Sequence, residues 1–562
     1  MKQLSVVILL ALLHTLPLWN LNENLAGGYG DPFTHATIGD WYCNNVLTGN
    51  FHYSGYLSPY GVDVSGSYDS PFPFILTCPA VAAGPLFQFH LFTLLQILLI
   101  VYSAWLVAKQ FLKSNGLQFC YIFFVWWCGF YISRSHQHET LLSQIWGLQF
   151  VFYAIATLIP RNTKSVLISS LLIALALTGT FHNIATLLFI AVILTLFKLW
   201  QMRNDLAFGK TYLNLFLGLL LSTLIFGGLW WPMIAFTLKN GTIDVSLQRQ
   251  LFNLDLLSPL VPFESNLIYK WLQMNSVLSY ERYNSFDPVI LAVVIFSLFK
   301  RDFWREKLRL IIFTLGMFYF VLSLGPELRI KNEIISALSF NAEFLNYFPF
   351  KVSRTPARFA AVTNLSFILL AFLFLDQHLT NRYKKHIAYF LLLWIFVTGP
   401  IMNQMLLFPT INFRSVIPTK GLESLKNLPA DSIVVSIPSA WAQDPTENFN
   451  RLFHQKSISS AYLSYTAYNK TLREQFVMDP FLGRMGCEDE VTAFHSTPLL
   501  GSFDALRAHL KERRLHGLVI NKLILLSRPE CQNLKNWTVE LLKNPWVKVT
   551  QENSNFVTAE IQ

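Results

Sequence analysis

A chain of 562 residues that is 53% hydrophobic and 15% aromatic but only 14% charged falls well below the roughly 25% charge of a soluble globular protein. With a mean hydropathy of +0.40 it reads as a polytopic membrane protein. Its net charge of +10 would suit a nucleic acid, yet no basic run is interleaved with an RNA- or DNA-binding pattern, and the cations collect in short loops between apolar segments, so no nucleic-acid partner is expected.

In chain order, Lys2 precedes an apolar run, Leu4 to Trp19, with no small-x-small pattern behind it, so residues 3–20 are expected to remain as an uncleaved first span. A polar, aromatic stretch follows at 30–73, carrying Asp31, Asp40, Asp63 and Asp69 with His35 and His52 among Gly, Pro, Tyr and Trp. Further apolar segments fall at 89–108, 117–133, 142–159, 164–179, 183–200, 211–231, 287–300, 308–324, 359–376 and 386–406. A spanning helix needs about 20 apolar residues, which predicts about eleven transmembrane helices.

The loops between them alternate in charge. One set is short and basic: Lys109 and Lys113; Arg161 and Lys164; Lys198, Arg203 and Lys210; Lys300, Arg301, Arg305, Lys307 and Arg309; Arg382, Lys384 and Lys385. Cytoplasmic loops have this character. The opposite loops, at 21–88, 134–141, 232–286 and 325–358, are mostly longer and hold most of the carboxylates. The amino terminus is therefore expected in the cytoplasm and everything after the last span outside a plasma (inner) membrane.

From about residue 408 the composition shifts. SIVVSIP (432–438) and HGLVINKLILL (516–526) read as buried strands, and Phe503 to Arg514 as a helix with Ala505, Leu506 and Leu510 on one face. The predicted fold class is an α-helical polytopic membrane protein, residues 1–407, with a C-terminal soluble α/β domain, residues 408–562, on the outer face. That domain has no Walker or GxGxxG pattern, so no nucleotide site is expected in it. Cys43 with Cys78 and Cys487 with Cys531 are either disulfides of an oxidising outer side or buried free thiols; Cys120 and Cys128 lie in a span.

Three polar clusters border the outer face. Asp31 stands just behind the first span, where a carboxylate can take the proton of an attacking hydroxyl; Asp31-Pro32-Phe33 also reads as the N-cap of a short juxtamembrane helix, and the two roles are compatible. Arg134, His136, His138 and Glu139 suit a divalent metal (Mg or Mn), a polar interfacial cap or a phosphate contact, with His138 and Glu139 the candidate ligands. The two-residue spacing of the histidines argues against a two-histidine metal site on a helix. Lys351, Arg354 and Arg358 break the charge bias of the outer loops. Arg354 and Arg358, spaced i, i+4 at a predicted helix start, suit a phosphate, or snorkelling to anionic headgroups. In the 232–286 loop, Trp271, Tyr280 and Glu281 offer a face for a sugar.

GDPFTHATIGDWYCNNVLTGNF, YLSPYGVDV and SPFP in the first outer loop, SHQHETL at the second, LLSPLVPF (256–263), LSLGPEL (322–328) and SRTPARFAAV (353–362) follow one another in an order that resembles the bacterial GT-C class of multispanning glycosyltransferases. LPADSIVVSIP, RLFHQKSISSAYLS and LKERRLHGLVINK resemble that family's appended outer domain, although HQKSISSAYLSYT and Ser135 depart from the family pattern. The resemblance implies transfer of a sugar from a polyprenyl-phosphate donor, in the membrane lipid, to a glycan, lipid or protein acceptor on the periplasmic face. It implies Asp31 as catalytic aspartate with Asp40 as competitor, and Arg354, Arg358 and His138 as donor-phosphate contacts. A lipid or glycan transporter would want charges inside the spans and an internal repeat, neither of which is evident; a noncatalytic membrane assembly protein is the other alternative.

Overall fold

Inside a bilayer every backbone amide must find its partner within the chain, and the described residues of the eleven apolar segments meet this mainly by folding as helix. The computed structural model describes residues 2–19, 24–25, 31–45, 48–58, 60, 62–64, 71–134, 138–180, 184–203, 208–240, 249, 252–260, 284–331, 333–347, 350, 355–398, 414–415, 422–438, 450–451, 453–459, 479, 481–482, 487, 502–527 and 531–562. The apolar helices are Lys2–His14, Pro85–Phe111, Asn115–Trp126 continued by Gly129–Arg134, Ser143–Thr157, Thr163–Leu177, Ile184–Gln201, Phe208–Asn240, Pro288–Leu298, Lys307–Ser323, Ala360–His378 and Asn381–Thr398.

Among the described residues six stretches are long and apolar enough to cross a membrane: Pro85–Phe111, Asn115–Arg134, Thr140–Thr157, Ile184–Gln201, Lys210–Phe236 and Pro356–His378. The chain is thus a multi-pass membrane protein, with six such helices where about eleven are predicted. Leu4–His14, Thr163–Leu177 and Pro288–Leu298 are apolar but shorter. At 1.5 Å per residue a 15-residue helix reaches only about 22 Å of a hydrocarbon core about 30 Å thick.

The span Pro356–His378 is the pillar of the bundle, buried over 94% of its apolar window, whereas Lys210–Phe236 is buried over only 17% and lines the rim. Buried polar groups key the pillar to its neighbours. Thr363 Oγ1 donates to the Gly316 carbonyl at 2.9 Å, and Asn364 Nδ2 to the Ser285 carbonyl at 3.1 Å. The helix Phe208–Asn240 runs past the predicted end of its span at residue 231, through Pro232. Trp230 anchors it there by donating to the Leu177 carbonyl at 3.0 Å.

Beyond the helices lies a five-stranded mixed sheet in the order Val547–Glu552, Phe556–Ile561, Leu515–Asn521, Ile433–Ile437, Ser457–Ile458. Ile433–Ile437, buried at every residue, runs parallel to both its neighbours, the environment in which an unbroken apolar run makes a strand. The helices Phe503–Glu512 and Gln532–Leu542 supply buried leucines on this side of the chain. Leu422 and Leu425 instead pack with Val434, Val519 and Phe556. Within Phe503–Glu512 it is Leu506 and Leu510 that turn inward, and Ala505 is exposed.

The segment read as one strand over 516–526 divides. Its neighbour begins at Phe556, paired with Asn521, so the ladder ends there and Lys522–Ser527 turns helical. One continuous cluster of buried residues runs from the membrane helices through the loop that carries Trp41 and Tyr56 to the sheet. Two backbone ladders also tie these regions: Asn24–Leu25 pairs with Arg414–Ser415, and Gly55 and Ser58 exchange bonds of 2.9 Å with Ile458, covering the edge of the sheet.

Candidate active site

The loop after the first apolar helix is built on the helix Asp31–Asn44. The predicted juxtamembrane helix therefore exists and starts at Asp31, while Asp40 lies nine residues, two and a half turns, further along. The two positions fall on opposite sides of the helix axis. Thr34, Ala36, Thr37, Ile38, Trp41 and Tyr42 are buried, which explains how so polar a stretch stays ordered.

Gly39 permits the close approach that seats this helix on Pro85–Phe111. A Cβ at Gly39 would overlap Oε1 of Gln88, whose Nε2 donates to Thr77 Oγ1 at 2.6 Å. The Cys43–Cys78 disulfide closes the loop, and Cys487–Cys531 is also bonded; Cys120 and Cys128 are free and buried.

The turn that carries His138 follows Arg134. This arginine is fully buried, with its guanidinium 5.5 Å from the centre of the Phe130 ring, and its carbonyl accepts the His138 amide at 2.9 Å. His138, half-buried, precedes the turn Glu139–Leu142. Ser143, buried, donates to the Thr140 carbonyl at 2.7 Å.

Gln144 then reaches across to the third cluster: its Nε2 donates to the Arg358 carbonyl at 3.0 Å, while its Oε1 is buried without a hydrogen-bond partner among the described residues. Arg358 is itself only 6% exposed and sits on the helical turn Pro356–Phe359, the predicted helix start with Pro at its first position. From the same helix as Gln144, Trp146 donates to Gln96 at 2.5 Å and packs edge-on against Phe72 of the first loop.

The fold thus brings three segments predicted to matter to one end of the bundle: the first loop, the turn with His138, and the turn with Arg358. It withdraws two guanidiniums there from water. Arg354, Trp271, Tyr280 and Glu281 lie outside the described residues, as do the side chains of Asp31, Asp40 and Glu139.

His136 and the side chain of Glu139, which the sequence groups with His138 as candidate metal ligands, lie outside the described residues. Among the described residues no group of three or more histidine, cysteine or carboxylate side chains stands together.

The five-stranded sheet meets the loop through residues that motif reading passed over. Arg451 stacks its guanidinium on Tyr53 at 5.1 Å and Tyr56 at 5.7 Å, and the buried Tyr56 hydroxyl donates to Thr37 of the loop helix at 2.8 Å. Nearby, Arg513 covers Tyr60 at 5.7 Å. Burial and the Asp479 carboxylate push the Tyr60 pKa up, with Arg513 opposing them. Asp479, buried, accepts the amides of Phe481 and Leu482 at 3.0 and 2.9 Å and meets His509 at 3.4 Å. His454, next to this seam, is held neutral by burial, with Arg451 and Lys456 adding like charge; its pKa is pushed down to about 3.

Sequence reasoning gave Arg134 no role apart from its cluster and missed Gln88, Gln96, Gln144 and Arg451. The glutamines did carry a signal, since an uncharged polar side chain inside an apolar helix needs a partner.

No family model matches the chain, and no curated protein matches it. Among solved structures it is similar to the arabinofuranosyltransferase AftD from Mycobacteria, with a TM-score of 0.54 at 12% identity, covering 100% of this chain and 39% of that one. It is also similar to the oligosaccharyltransferase of Archaeoglobus fulgidus in the apo form, with a TM-score of 0.45 at 12% identity, covering 92% of this chain and 69% of that one. The chain therefore spans well under half the length of the arabinofuranosyltransferase, and at this identity the likeness is one of fold.

Proposed function

We propose that the chain is a membrane glycosyltransferase that moves a sugar from a polyprenyl-phosphate donor to an acceptor hydroxyl on the periplasmic face of the inner membrane. The amino terminus would be cytoplasmic and the sheet outside. The observation that supports this reading is the burial of Arg358 on a turn whose backbone carbonyl accepts from Gln144, a residue of the helix that follows the Arg134–His138 turn. Guanidiniums withdrawn from water suit an anion, and their forked donors suit phosphate.

In the proposed reaction the acceptor oxygen attacks the anomeric carbon and gives its proton to Asp31. The bond from that carbon to the phosphate oxygen breaks, and the lipid phosphate leaves with the electron pair, with inversion. Arg358, Arg134 and Arg354 would stabilise the leaving charge, and His138 would contact the same phosphate. Trp271, Tyr280 and Glu281 would face the sugar. Asp40, on the other side of the loop helix, stays in reserve as the base. An apolar cavity of about 430 Å³, lined by Leu158, Ile173, Leu188 and Phe226, is of a kind to take part of the polyprenyl chain.

The test is transfer of labelled sugar from polyprenyl phosphate in membranes. Asp31→Asn is expected to abolish transfer and Asp40→Asn to spare it. Arg358→Lys, which keeps the charge but loses the fork, should reduce it about 10²- to 10³-fold. Full activity in the Asp31→Asn, Asp40→Asn double variant would sink the assignment.

A further inference from the structure

At the end of the bundle opposite the candidate active site a second cavity opens, of about 570 Å³, lined by Lys113, Ser114, Asn115, Lys384 and Lys385 on its polar side and by Val6, Phe119, Ala388, Tyr389 and Leu392 on its apolar side. We propose that it holds the phosphate headgroup of an anionic membrane lipid, with an acyl chain along the apolar wall. The glycosyltransferase reading does not use this cavity, and the inference does not depend on that reading.

The charge there is arranged rather than scattered. Asp376, 7% exposed, accepts the backbone amides of Lys113 and Ser114 at 2.7 and 3.1 Å and binds the Lys384 ammonium at 3.1 Å. One carboxylate thereby fixes the Lys113–Ser114 turn against the helix Asn381–Thr398 and orients Lys384. Lys385 extends over the Tyr389 ring at 5.9 Å.

Counting the charged groups that line or back the cavity, three lysines meet one aspartate, leaving two positive charges in excess. The facing wall adds none, since Val6 and Phe119 are apolar. An excess of cations over an apolar wall at the membrane surface is complementary to a phosphodiester carrying hydrocarbon chains. The loops concerned, 109–115 and 379–385, are among those predicted to face the cytoplasm, where anionic lipids concentrate.

The experiment is native mass spectrometry of the full purified chain with phosphatidylglycerol, with phosphatidylcholine, and with inorganic phosphate. Phosphatidylglycerol is expected to bind in preference to both. Lys113→Gln with Lys385→Gln removes two exposed lysines that make no ion pair among the described residues, so folding is not at stake. The pair should lower affinity about 25-fold, roughly fivefold per lysine, while Lys385→Arg alone retains it. Lys300→Gln with Lys307→Gln, in a basic loop away from the cavity, should change nothing. Equal binding of the two lipids, equal binding of inorganic phosphate, or equal loss in the two double variants would overturn the proposal.

Discussion

His454 links acidity to the seam between the sheet and the first outer loop. It is 1% exposed, and its Nδ1 accepts the Lys456 amide at 3.0 Å, so Nε2 carries the ring proton of the neutral form. The unfolded chain takes up a proton near the ordinary 6.5 and the folded chain only near 3. Between those limits the unfolded state binds more protons, so stability is full above about pH 6.5 and falls as the pH is lowered. From pH 7 to pH 5 the unfolded state gains about 2 kcal/mol of proton binding that the fold does not share. At about 2–4 °C per kcal/mol, this is a drop of about 4–8 °C in Tm. His454→Asn puts an amide oxygen where Nδ1 accepts and has no titration, so it should lose that much less on acidification. The measurement is thermal unfolding of the purified chain at pH 7 and pH 5, wild type against variant. The same pH dependence in both would refute the reasoning, because the remaining ionisable groups are common to them.

Two further outcomes follow from how the loop is held. Gly39→Ala forces a methyl against Gln88 and should destabilise by about 1–3 kcal/mol in thermal unfolding, with Gln88→Ala beside it restoring much of the loss. Such relief would be missing if the glycine mattered only for backbone freedom. The Cys43–Cys78 bond closes 35 residues, so Cys43→Ser with Cys78→Ser should cost about 3–4 kcal/mol and make unfolding insensitive to reductant at that site. Unchanged stability would mean that the packing of Trp41 and Tyr42 holds the loop unaided.

The helices were legible because a lipid-facing or core-facing helix leaves an unbroken apolar run, as in the segments that became Pro85–Phe111 and Ala360–His378. Ile433–Ile437 was legible for the same reason in a strand. Which helices cross was less so, since Thr163–Leu177 and Pro288–Leu298 are as apolar as the crossing ones but shorter. The end of Leu515–Asn521 depends on where its partner strand starts, which no local pattern reports. In the candidate site, Arg358 stood out because a cation there broke the loop-charge rule, and the structure buries it. Arg134 did not stand out, because a basic residue at the end of an apolar run is ordinarily a surface anchor. The seam of Arg451 with Tyr53 and Tyr56 joins residues about 400 positions apart, with nothing in either stretch to point at the other.

The ladder between Gly55, Ser58 and Ile458 has a consequence for the order in which the protein is made. Chains emerge from the amino terminus, so the first outer loop reaches its side of the membrane while about 400 residues, including every partner it needs from the sheet, remain to be synthesised. Until then Tyr53 and Tyr56 lack Arg451, and the 24–25 strand lacks its mate at 414–415. The loop is completed last although it is translated first. An unfinished or truncated copy inserted in the membrane would carry the bundle without the sheet that completes this loop.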